Sequence, residues 1–353
     1  MPKRPKDSGD ATDYAARNGW DGAYETFEDY DLPTYVGLPT FMKLPWVPDE
    51  AALRARRADV AIVGAPFDDA VSHRSGARFG PRAIREAQYT SGSIYSLQLG
   101  VEPFEVLDVV DAGDANVIPA WIDRAHALIY RKVREVASTG AIPIVLGGDH
   151  SITWPSATAI AELRRPGSIG IVHFDAHADT ASDDWGVLAG HGTPIRRLIE
   201  SGAVKGRNFV QVGLRGYWPP RETFEWMREH GLRWHLMREI EERGAEAVID
   251  DAIAEALDGP DAIYISVDID VIDPGSAPGT GTPEPGGMLP RELLRAVRRI
   301  AAAVDVAGMD IVEVSPPYDH AEVTAMAANR IALEVISALA QKRLAGHPVR
   351  FEP

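Results

Sequence analysis

The sequence predicts an α/β fold, a single three-layer α/β/α domain with a mostly parallel central sheet. From residue 58 onward, short apolar segments alternate with longer segments of helical periodicity. The short segments are apolar throughout, which is typical of parallel strands that helices cover on both faces. The chain has 353 residues and shows neither an internal repeat nor a linker after residue 50. One domain therefore accounts for this part of the chain.

The strand and helix segments follow one another along the chain. Buried strands are predicted at 59–65, 104–110, 141–146, 168–174, 208–213, 262–267 and 304–311. Helices are predicted at 120–138, 156–164, 193–201, 220–230, 238–257, 290–303 and 321–345. Pro290 lies at the first position of its helix, where proline is favoured. In such a sheet, ligands bind beyond the carboxyl ends of the strands.

The first 57 residues are set apart from the predicted catalytic domain, 58–353. Residues 1–20 have the composition of a polar tail. Residues 24–47 contain six aromatic residues interleaved with three prolines, and that much aromatic surface favours burial. Two interpretations are equally open: an arm packed on its own domain, or an arm that reaches a neighbouring subunit.

Composition excludes several classes of protein. The formal charge is −16, and no cluster of Lys and Arg stands out, so a nucleic-acid partner is not expected. The chain has no cysteine, which excludes disulfides, thiolate metal sites and a cysteine nucleophile. We find no signal peptide and no apolar run of membrane-spanning length, and therefore predict a cytoplasmic protein with no membrane partner.

Side chains of the types that bind metals follow three of the predicted strands. After strand 168–174 they occupy alternate positions, and in an extended chain alternate residues point to one face. The same alternation follows strand 262–267, and two glycines precede a histidine after strand 141–146. The set comprises His150, Asp175, His177, Asp179, Asp268 and Asp270.

The charge of this set predicts two divalent metal ions. Buried carboxylates are costly unless a cation compensates them, and four carboxylates match two divalent cations. Ligation by oxygen and imidazole without sulfur favours Mn²⁺, with Zn²⁺, Ni²⁺ or Co²⁺ as substitutes. Sites with two metals activate water, so the pattern predicts hydrolysis at an sp² carbon. Glu313 follows a fourth strand, 304–311. It either takes part in the reaction or forms an ion pair with a structural arginine.

Several segments resemble the ureohydrolase family of arginases and agmatinases. Three of them are signatures of that family: Gly-Gly-Asp-His-Ser at 147–151, Phe-Asp-Ala-His-Ala-Asp at 174–179, and the Asp-rich segment 266–274 that ends in Asp-Pro. Three more are similar to the agmatinase branch: 75–81, 191–194 and the Gly- and Pro-rich loop 277–287. The resemblance runs from about residue 58 to the C-terminus.

The resemblance implies an arginase-like fold, a binuclear metal centre and specific roles for individual residues. One metal would be ligated or bridged by His150, Asp175, Asp179 and Asp268, and the other would be ligated by His177, Asp175, Asp268 and Asp270. His191 would shuttle protons, Glu313 would bind a guanidinium group, and Asp179 would move a proton to the leaving amine. A homo-oligomer, trimer or hexamer, is also implied.

The substrate implied is a small linear guanidino compound that is hydrolysed to urea and an amine. Agmatine and 4-guanidinobutanoate are the first candidates, with guanidine or 3-guanidinopropanoate behind them. A formimino-group hydrolase and a non-catalytic metal-binding regulator of the same fold are the alternatives. We expect specificity to reside in loops 68–78, 181–190 and 215–219, which carry both acidic and basic residues.

Other polar residues near these motifs are predicted to be structural. His173 is interpreted as a hydrogen-bonded core histidine, and Asp149 as a supporting residue. Asp273 precedes a proline and suits a turn, while Arg78 suits a loop anchor. For Asp183 and Asp184, a structural role and a substrate contact are equally open.

Overall fold

The computed structural model describes residues 33–90 and 94–351. In these residues one eight-stranded sheet is present, with strand order β2-β1-β3-β8-β7-β4-β5-β6. Neighbouring strands in this order all pair in parallel. The strands are β1 Val60–Ala65, β2 Val109–Asp114, β3 Ile142–Gly147, β4 Ile169–Phe174, β5 Phe209–Leu214, β6 Arg233–Leu236, β7 Ala262–Asp268 and β8 Asp305–Val312. The predicted α/β fold with its parallel sheet is confirmed.

Helices connect the strands and pack against the sheet and one another. They are α1 Glu50–Arg56, α2 Gly80–Glu86, α3 Pro103–Val106, α4 Ile122–Ser138, α5 Thr153–Leu163, α6 Pro194–Glu200, α7 Arg221–Glu229, α8 Met237–Arg243, α9 Ala245–Ala256, α10 Pro290–Ala303 and α11 Val323–Leu344. Helix α4 packs against α5, and α10 against α11. The central strands β3, β4 and β7 are buried along their whole length, because helices cover the sheet.

Two predicted elements differ from the structure, and one strand was not predicted. The strand predicted at 104–110 is wrong: a single helical turn, Pro103–Val106, comes first and β2 begins only at Val109. The edge strand β6 escaped prediction because it has only four residues and lacks an apolar run. The helix predicted at 238–257 is two helices, since Gly244 has φ +85° and ψ 145° and ends the first.

Part of the aromatic N-terminal segment belongs to the core of its own chain. Phe41 and Leu44 are buried and join the main hydrophobic cluster. The backbone N–H of Phe41 donates to the carboxylate of Asp111 in β2 at 2.9 Å. Tyr24, Phe27 and Tyr30 of this segment lie outside the described residues.

One helix among the described residues, α11, is long and apolar enough to cross a membrane. The expectation that no segment reaches that length therefore needs this exception. Within the fold, 72% of the apolar window of α11 is buried, and α11 packs along α10. These contacts are those of a core helix.

The strand order places the predicted site residues together. Strands β3, β8, β7 and β4 are consecutive in the sheet, although they are far apart in sequence. Across them, Leu146 pairs with Ile311, Ile311 with Val267, and Val267 with Phe174. The four chain segments that carry the predicted site residues therefore begin one step beyond a common row, at the carboxyl edge of the sheet.

Candidate metal centre

Three carboxylates surround one nitrogen of His150. Its Nδ1 lies 3.1 Å from Asp175 Oδ2, 2.9 Å from Asp179 Oδ2 and 3.0 Å from Asp268 Oδ2. All four side chains are almost completely buried. A single proton on Nδ1 satisfies only one of three carboxylates, so this group has the donor set and charge of a cation site.

A second group lies beside the first and shares Asp175 with it. Nδ1 of His177 lies 3.0 Å from Asp270 Oδ2 and 3.6 Å from Asp175 Oδ1. The potential ligand atoms of these three residues are close enough to one another to hold a single ion. Because Asp175 offers Oδ2 to the first group and Oδ1 to the second, it is placed to bridge two cations.

Hydrogen bonds behind His150 leave its Nδ1 as a bare acceptor. The hydroxyl of Ser266 donates to Asp310 Oδ1 at 2.7 Å, and Tyr264 donates to Asp310 Oδ2 at 2.7 Å. Because the proton of Ser266 is directed to Asp310, Ser266 Oγ accepts from Nε2 of His150, at 3.4 Å.

The lone pair on Nδ1 then faces anionic oxygens. Among the described residues, neither Nδ1 of His150 nor Oδ2 of Asp175 has a hydrogen-bond partner. Buried polar atoms without partners are costly, and a divalent cation between these two would satisfy both. The residues present therefore fit a binuclear metal centre.

The pKa values of the carboxylates reflect the same crowding. Burial raises the pKa of Asp268 well above its usual range, and the charges of Asp270 and Asp175 raise it further. For Asp175, burial acts in the same direction, but the nearby histidines His150, His173 and His177 outweigh it and hold the pKa well below the usual range. A cation in this position would relieve the repulsion among the carboxylates.

Close backbone contacts position His150. A Cβ on Gly148 would lie 1.8 Å from the carbonyl oxygen of Phe67, so only glycine fits where β3 ends. Asp149 then caps the short 3₁₀ turn His150–Ile152, accepting from the N–H of Ser151 at 3.0 Å. Its other oxygen accepts from the N–H of Ala70 at 3.0 Å. Asp149 therefore joins two loops, in keeping with its predicted supporting role.

Glu313, His191 and Ser72 form a hydrogen-bonded chain beside the metal groups. Oε1 of Glu313 lies 2.9 Å from Nδ1 of His191 and accepts from the N–H of His150 at 2.9 Å. Nε2 of His191 lies 2.6 Å from Ser72 Oγ and accepts from the Ser72 N–H at 3.0 Å.

Two of these carboxylates stand on strained backbone. Asp179 has φ 51° and Glu313 has φ 62°, a region that residues other than glycine adopt at a cost of about 1 kcal/mol or more. Such strain is typical of functional sites. In this backbone conformation Asp179 contacts His150, and Glu313 contacts His191.

A cavity of about 430 Å³ opens above this cluster. Its inner wall includes His177, Asp179, His191 and Asp268, and its outer wall includes Ser72, Asp183, Asp184, Trp185, Gly192, Trp218 and Thr282. A volume of this size suits a small organic substrate.

Residues 58–337 match the Arginase family. This chain belongs to that family. It is 38% identical over 314 residues to proclavaminate amidinohydrolase of Streptomyces clavuligerus, covering 88% of this chain and 96% of that protein. The solved structure of that enzyme superposes with a TM-score of 0.79 at 37% identity, covering 88% of this chain and 99% of the other.

Two other family members are similar to nearly the same degree. Guanidinobutyrase of Pseudomonas aeruginosa is 37% identical, covering 88% of this chain and 94% of that protein. Agmatinase of Chromobacterium violaceum is 36% identical, covering 89% and 92%. Identity alone therefore does not separate these substrates.

The structure brings all six predicted ligands of this arginase-family chain together, although not as an extended chain would. Strand β7 ends at Asp268, and a 3₁₀ turn, Ile269–Val271, follows. Asp268 consequently faces His150, while Asp270 faces His177. Proximity was predicted from the spacing, and the family resemblance implied the division into one group around His150 and another around His177.

A buried histidine and a glutamine extend the site. His173 is buried, and its Nε2 lies 3.0 Å from Asp175 Oδ2. The amide of Gln211 donates to the carbonyl of Ala178 at 2.6 Å and lies 3.3 Å from Nδ1 of His173. His173 therefore lies behind Asp175 as a buried core histidine, in keeping with its predicted role.

Ser72 and Thr282 were not predicted as site residues. Both line the cavity. Their loops, 68–78 and 277–287, were singled out, but neither residue was, and Ser72 is 119 residues from the histidine that it contacts. The remaining assignments agree with the contacts seen. Arg78 forms ion pairs with Asp68 and Asp69, and Asp273 accepts from backbone N–H groups of its own turn and of the loop at Gly286.

Proposed function

We propose that this chain is a binuclear-metal ureohydrolase that hydrolyses a small linear guanidino compound, agmatine or 4-guanidinobutanoate, to urea and the corresponding amine. Family membership supports hydrolysis at a guanidino group. The identity of the substrate and the role of each residue belong to the proposal.

The observation that carries the proposal is the second carboxylate oxygen of Glu313. The side chain is buried, and Oε2 has no hydrogen-bond partner among the described residues. A Cβ on Gly281 would lie 3.5 Å from it, next to Thr282 of the cavity wall. An unpaired buried carboxylate oxygen is costly, and the N–H groups of a guanidinium ion would satisfy it with charge-assisted bonds. No arginine of the described chain takes that place.

His150, Asp175, His177, Asp179, Asp268 and Asp270 would hold two divalent ions, for which Mn²⁺ is our first choice. When bound, such ions lower the pKa of water from about 15.7 toward neutrality and so supply a nucleophile. The reaction adds water to the guanidinium carbon and breaks its bond to the alkyl-bearing nitrogen. A guanidinium ion and water thereby become urea and an alkylammonium ion.

The protein's own groups position the substrate and handle the proton. Glu313 holds the guanidinium carbon above the metal groups through Oε2. Asp179 lines the cavity and is placed to carry a proton from the attacking water to the leaving nitrogen. His191 connects Glu313 to Ser72 at the cavity wall, which gives protons a route to solvent.

The test is a urea-release screen of the full chain loaded with Mn²⁺. Agmatine, 4-guanidinobutanoate, 3-guanidinopropanoate, arginine and guanidine are compared, and formamide release from a formimino compound is measured in parallel. We expect urea from a linear guanidino compound. Formamide as the main product would identify the formimino-hydrolase alternative. The absence of both products would favour a non-catalytic metal-binding protein.

We further propose a homo-oligomer, trimer or hexamer, on the basis of the family resemblance alone. Light scattering coupled to size-exclusion chromatography measures this directly. A monomer of 38.3 kDa under all conditions would contradict it.

A further inference from the structure

We propose that the 183–187 turn and Trp218 form a tail subsite that selects a guanidino compound ending in a primary ammonium, as agmatine does, over one ending in a carboxylate. This inference rests on the proposed function and concerns its substrate. It derives from the outer wall of the cavity, where Asp183, Asp184, Trp185 and Trp218 take no part in the proposed catalysis.

The outer wall is acidic and aromatic. Asp183, Asp184, Trp185 and Trp218 line it, and no Lys or Arg is found among the described residues around this cavity. Glu313, whose Oε2 has no partner among the described residues, contacts His191 of the cavity lining through its other oxygen. A guanidinium group on Oε2 would thus extend its tail into the cavity that the acidic wall lines.

The turn holds Trp185 in an unfavourable conformation. Asp184 and Val187 exchange two backbone hydrogen bonds of 2.9 Å, and both residues between them have positive φ, 52° for Trp185 and 85° for Gly186. This is the pattern of a two-residue type I′ loop, in which Asn-Gly is the usual sequence. A tryptophan at the first position is strained. Its indole is nevertheless 84% exposed, so burial in the free protein does not compensate the strain.

The two acidic residues keep negative charge near this indole. Asp183 accepts from the N–H of Gly186 at 2.7 Å and from the hydroxyl of Ser182 at 3.0 Å, and these bonds lower its pKa. Asp184 accepts from the N–H of Gly192 at 2.9 Å through one oxygen. Both bonds to the backbone fix the carboxylates without neutralising them.

The arginines near the cavity are engaged elsewhere. Arg78 pairs with Asp68 and Asp69, and Arg197 pairs with Glu200 at 3.0 Å. The guanidinium of Arg215 donates to the carbonyl oxygens of Asp270 and Glu284, at 2.7 and 2.6 Å. Two others lie over aromatic rings: Arg74 over Tyr318 at 5.2 Å, and Arg196 over Trp226 at 4.1 Å. A carboxylate tail would meet no uncommitted cation on this wall.

An ammonium tail would be attracted both by the tryptophans and by the aspartates of this wall. Indole is the strongest of the aromatic partners for cations, and the carboxylates add Coulomb attraction. Trp218 is fixed against His177 with a ring separation of 6.1 Å, so one side of the subsite is joined to the metal centre. Closure of Trp185 over the tail would bury its indole and offset the strain of the turn.

The experiment compares three compounds that differ at the far end. Agmatine carries an ammonium, 1-butylguanidine a methyl group and 4-guanidinobutanoate a carboxylate. With the Mn²⁺-loaded full chain, we expect kcat/KM for agmatine to exceed that for 1-butylguanidine about 10-fold and that for 4-guanidinobutanoate about 100-fold. The preference should shrink as salt is added.

Two variants test whether the 183–187 turn causes the preference for agmatine. Asp183→Asn keeps an acceptor for the Gly186 N–H but removes the charge, and Trp185→Ala removes the indole. Each should reduce the ratio of agmatine to 1-butylguanidine several-fold. Glu222→Gln is the matched control, since Glu222 is exposed on α7 and lies outside the cavity lining. Its ratio should equal that of the unmodified chain.

Each outcome decides the inference. If 4-guanidinobutanoate or free guanidine is the best substrate, or if both variants keep the full preference for agmatine, the tail subsite is wrong while the ureohydrolase proposal stands. If no guanidino compound yields urea, the proposed function falls and the inference falls with it.

Discussion

Ser72 contacts Nε2 of His191 twice, through its backbone N–H at 3.0 Å and its hydroxyl at 2.6 Å. A backbone N–H can only donate, so Nε2 of His191 is an acceptor in this arrangement. Its Nδ1 then carries the ring proton and donates a hydrogen bond to Glu313. The tautomer of a histidine decides which nitrogen exchanges protons. The loop that contains Ser72 thus determines how His191 can act.

Replacement of Ser72 by alanine should lower kcat more than it changes KM. The backbone N–H remains, but the hydroxyl that continues the chain toward solvent is lost. We expect kcat to fall about 10-fold, less than the roughly 10²- to 10⁴-fold that a general acid or base contributes, because His191 itself remains. Ser72→Thr keeps the hydroxyl and should restore most of the rate. Steady-state kinetics of urea release check this, and equal kcat values for Ser72→Ala and the unmodified chain would contradict it.

The negative charge of Glu313 should contribute more to kcat/KM than the shape of its side chain. Glu313→Gln keeps an oxygen that accepts from the N–H of His150 but removes the negative charge that faces the substrate. Hydrogen bonds to charged groups contribute about 1.5–3 kcal/mol, so kcat/KM should fall about 10- to 100-fold. Metal content, measured by mass spectrometry, should be unchanged, since Glu313 belongs to neither metal group. An unchanged kcat/KM would refute guanidinium binding by Glu313.

The two metal groups should lose their ions separately. His150→Ala and Asp270→Ala each remove a ligand from one group, and each variant should retain about one ion per chain in place of two. Asp175→Ala should lose both, because Asp175 is shared. Asp273→Asn is the control: Asp273 lies near Asp270 but binds only backbone N–H groups. Metal analysis of purified protein decides this, and two ions retained in Asp270→Ala would make the assignment wrong.

Much of this site could be predicted because its residues lie beside strands that sequence patterns reveal well. The apolar runs of β3, β4, β7 and β8 show where these strands end. The polar residues that follow them are the ones that lie at the carboxyl edge of the sheet. The sequence does not show that these four strands are neighbours, because their order in the sheet differs from their order in the chain. Only the sheet order explains why His150 meets Asp268.

Contacts made by loops escaped prediction for a different reason. Ser72 and Thr282 occupy irregular segments in which no periodicity indicates the direction of a side chain. For the outer wall of the cavity, loop 181–190 was expected to hold specificity, but the tight turn that carries Asp183 and Trp185 was not predicted. Short edge strands such as β6 are missed because only one neighbour stabilises them and their sequence need not be apolar.

Stability should depend on a buried ion pair far from the cavity. Arg85 of α2 is 7% exposed, and its guanidinium pairs with Asp111 at 2.8 Å and with Asp114 at 2.6 Å. Arg85→Met removes the cation and leaves Asp111 buried without its charge partner, which typically costs about 3–5 kcal/mol. Denaturant unfolding of the metal-loaded chain measures the change.

Arg82 provides the comparison from the same helix. Its pair with Glu86 spans one helical turn at 2.9 Å, and its side chain is 77% exposed. Exposed pairs contribute at most about 1 kcal/mol, so Arg82→Met should leave the free energy of unfolding almost unchanged. Both variants replace one arginine of α2 by methionine, so helix propensity and net charge change equally. A difference between their free energies of unfolding therefore reports the effect of burial. Equal destabilisation would mean that Arg85 does not stabilise the edge of the sheet through its carboxylates.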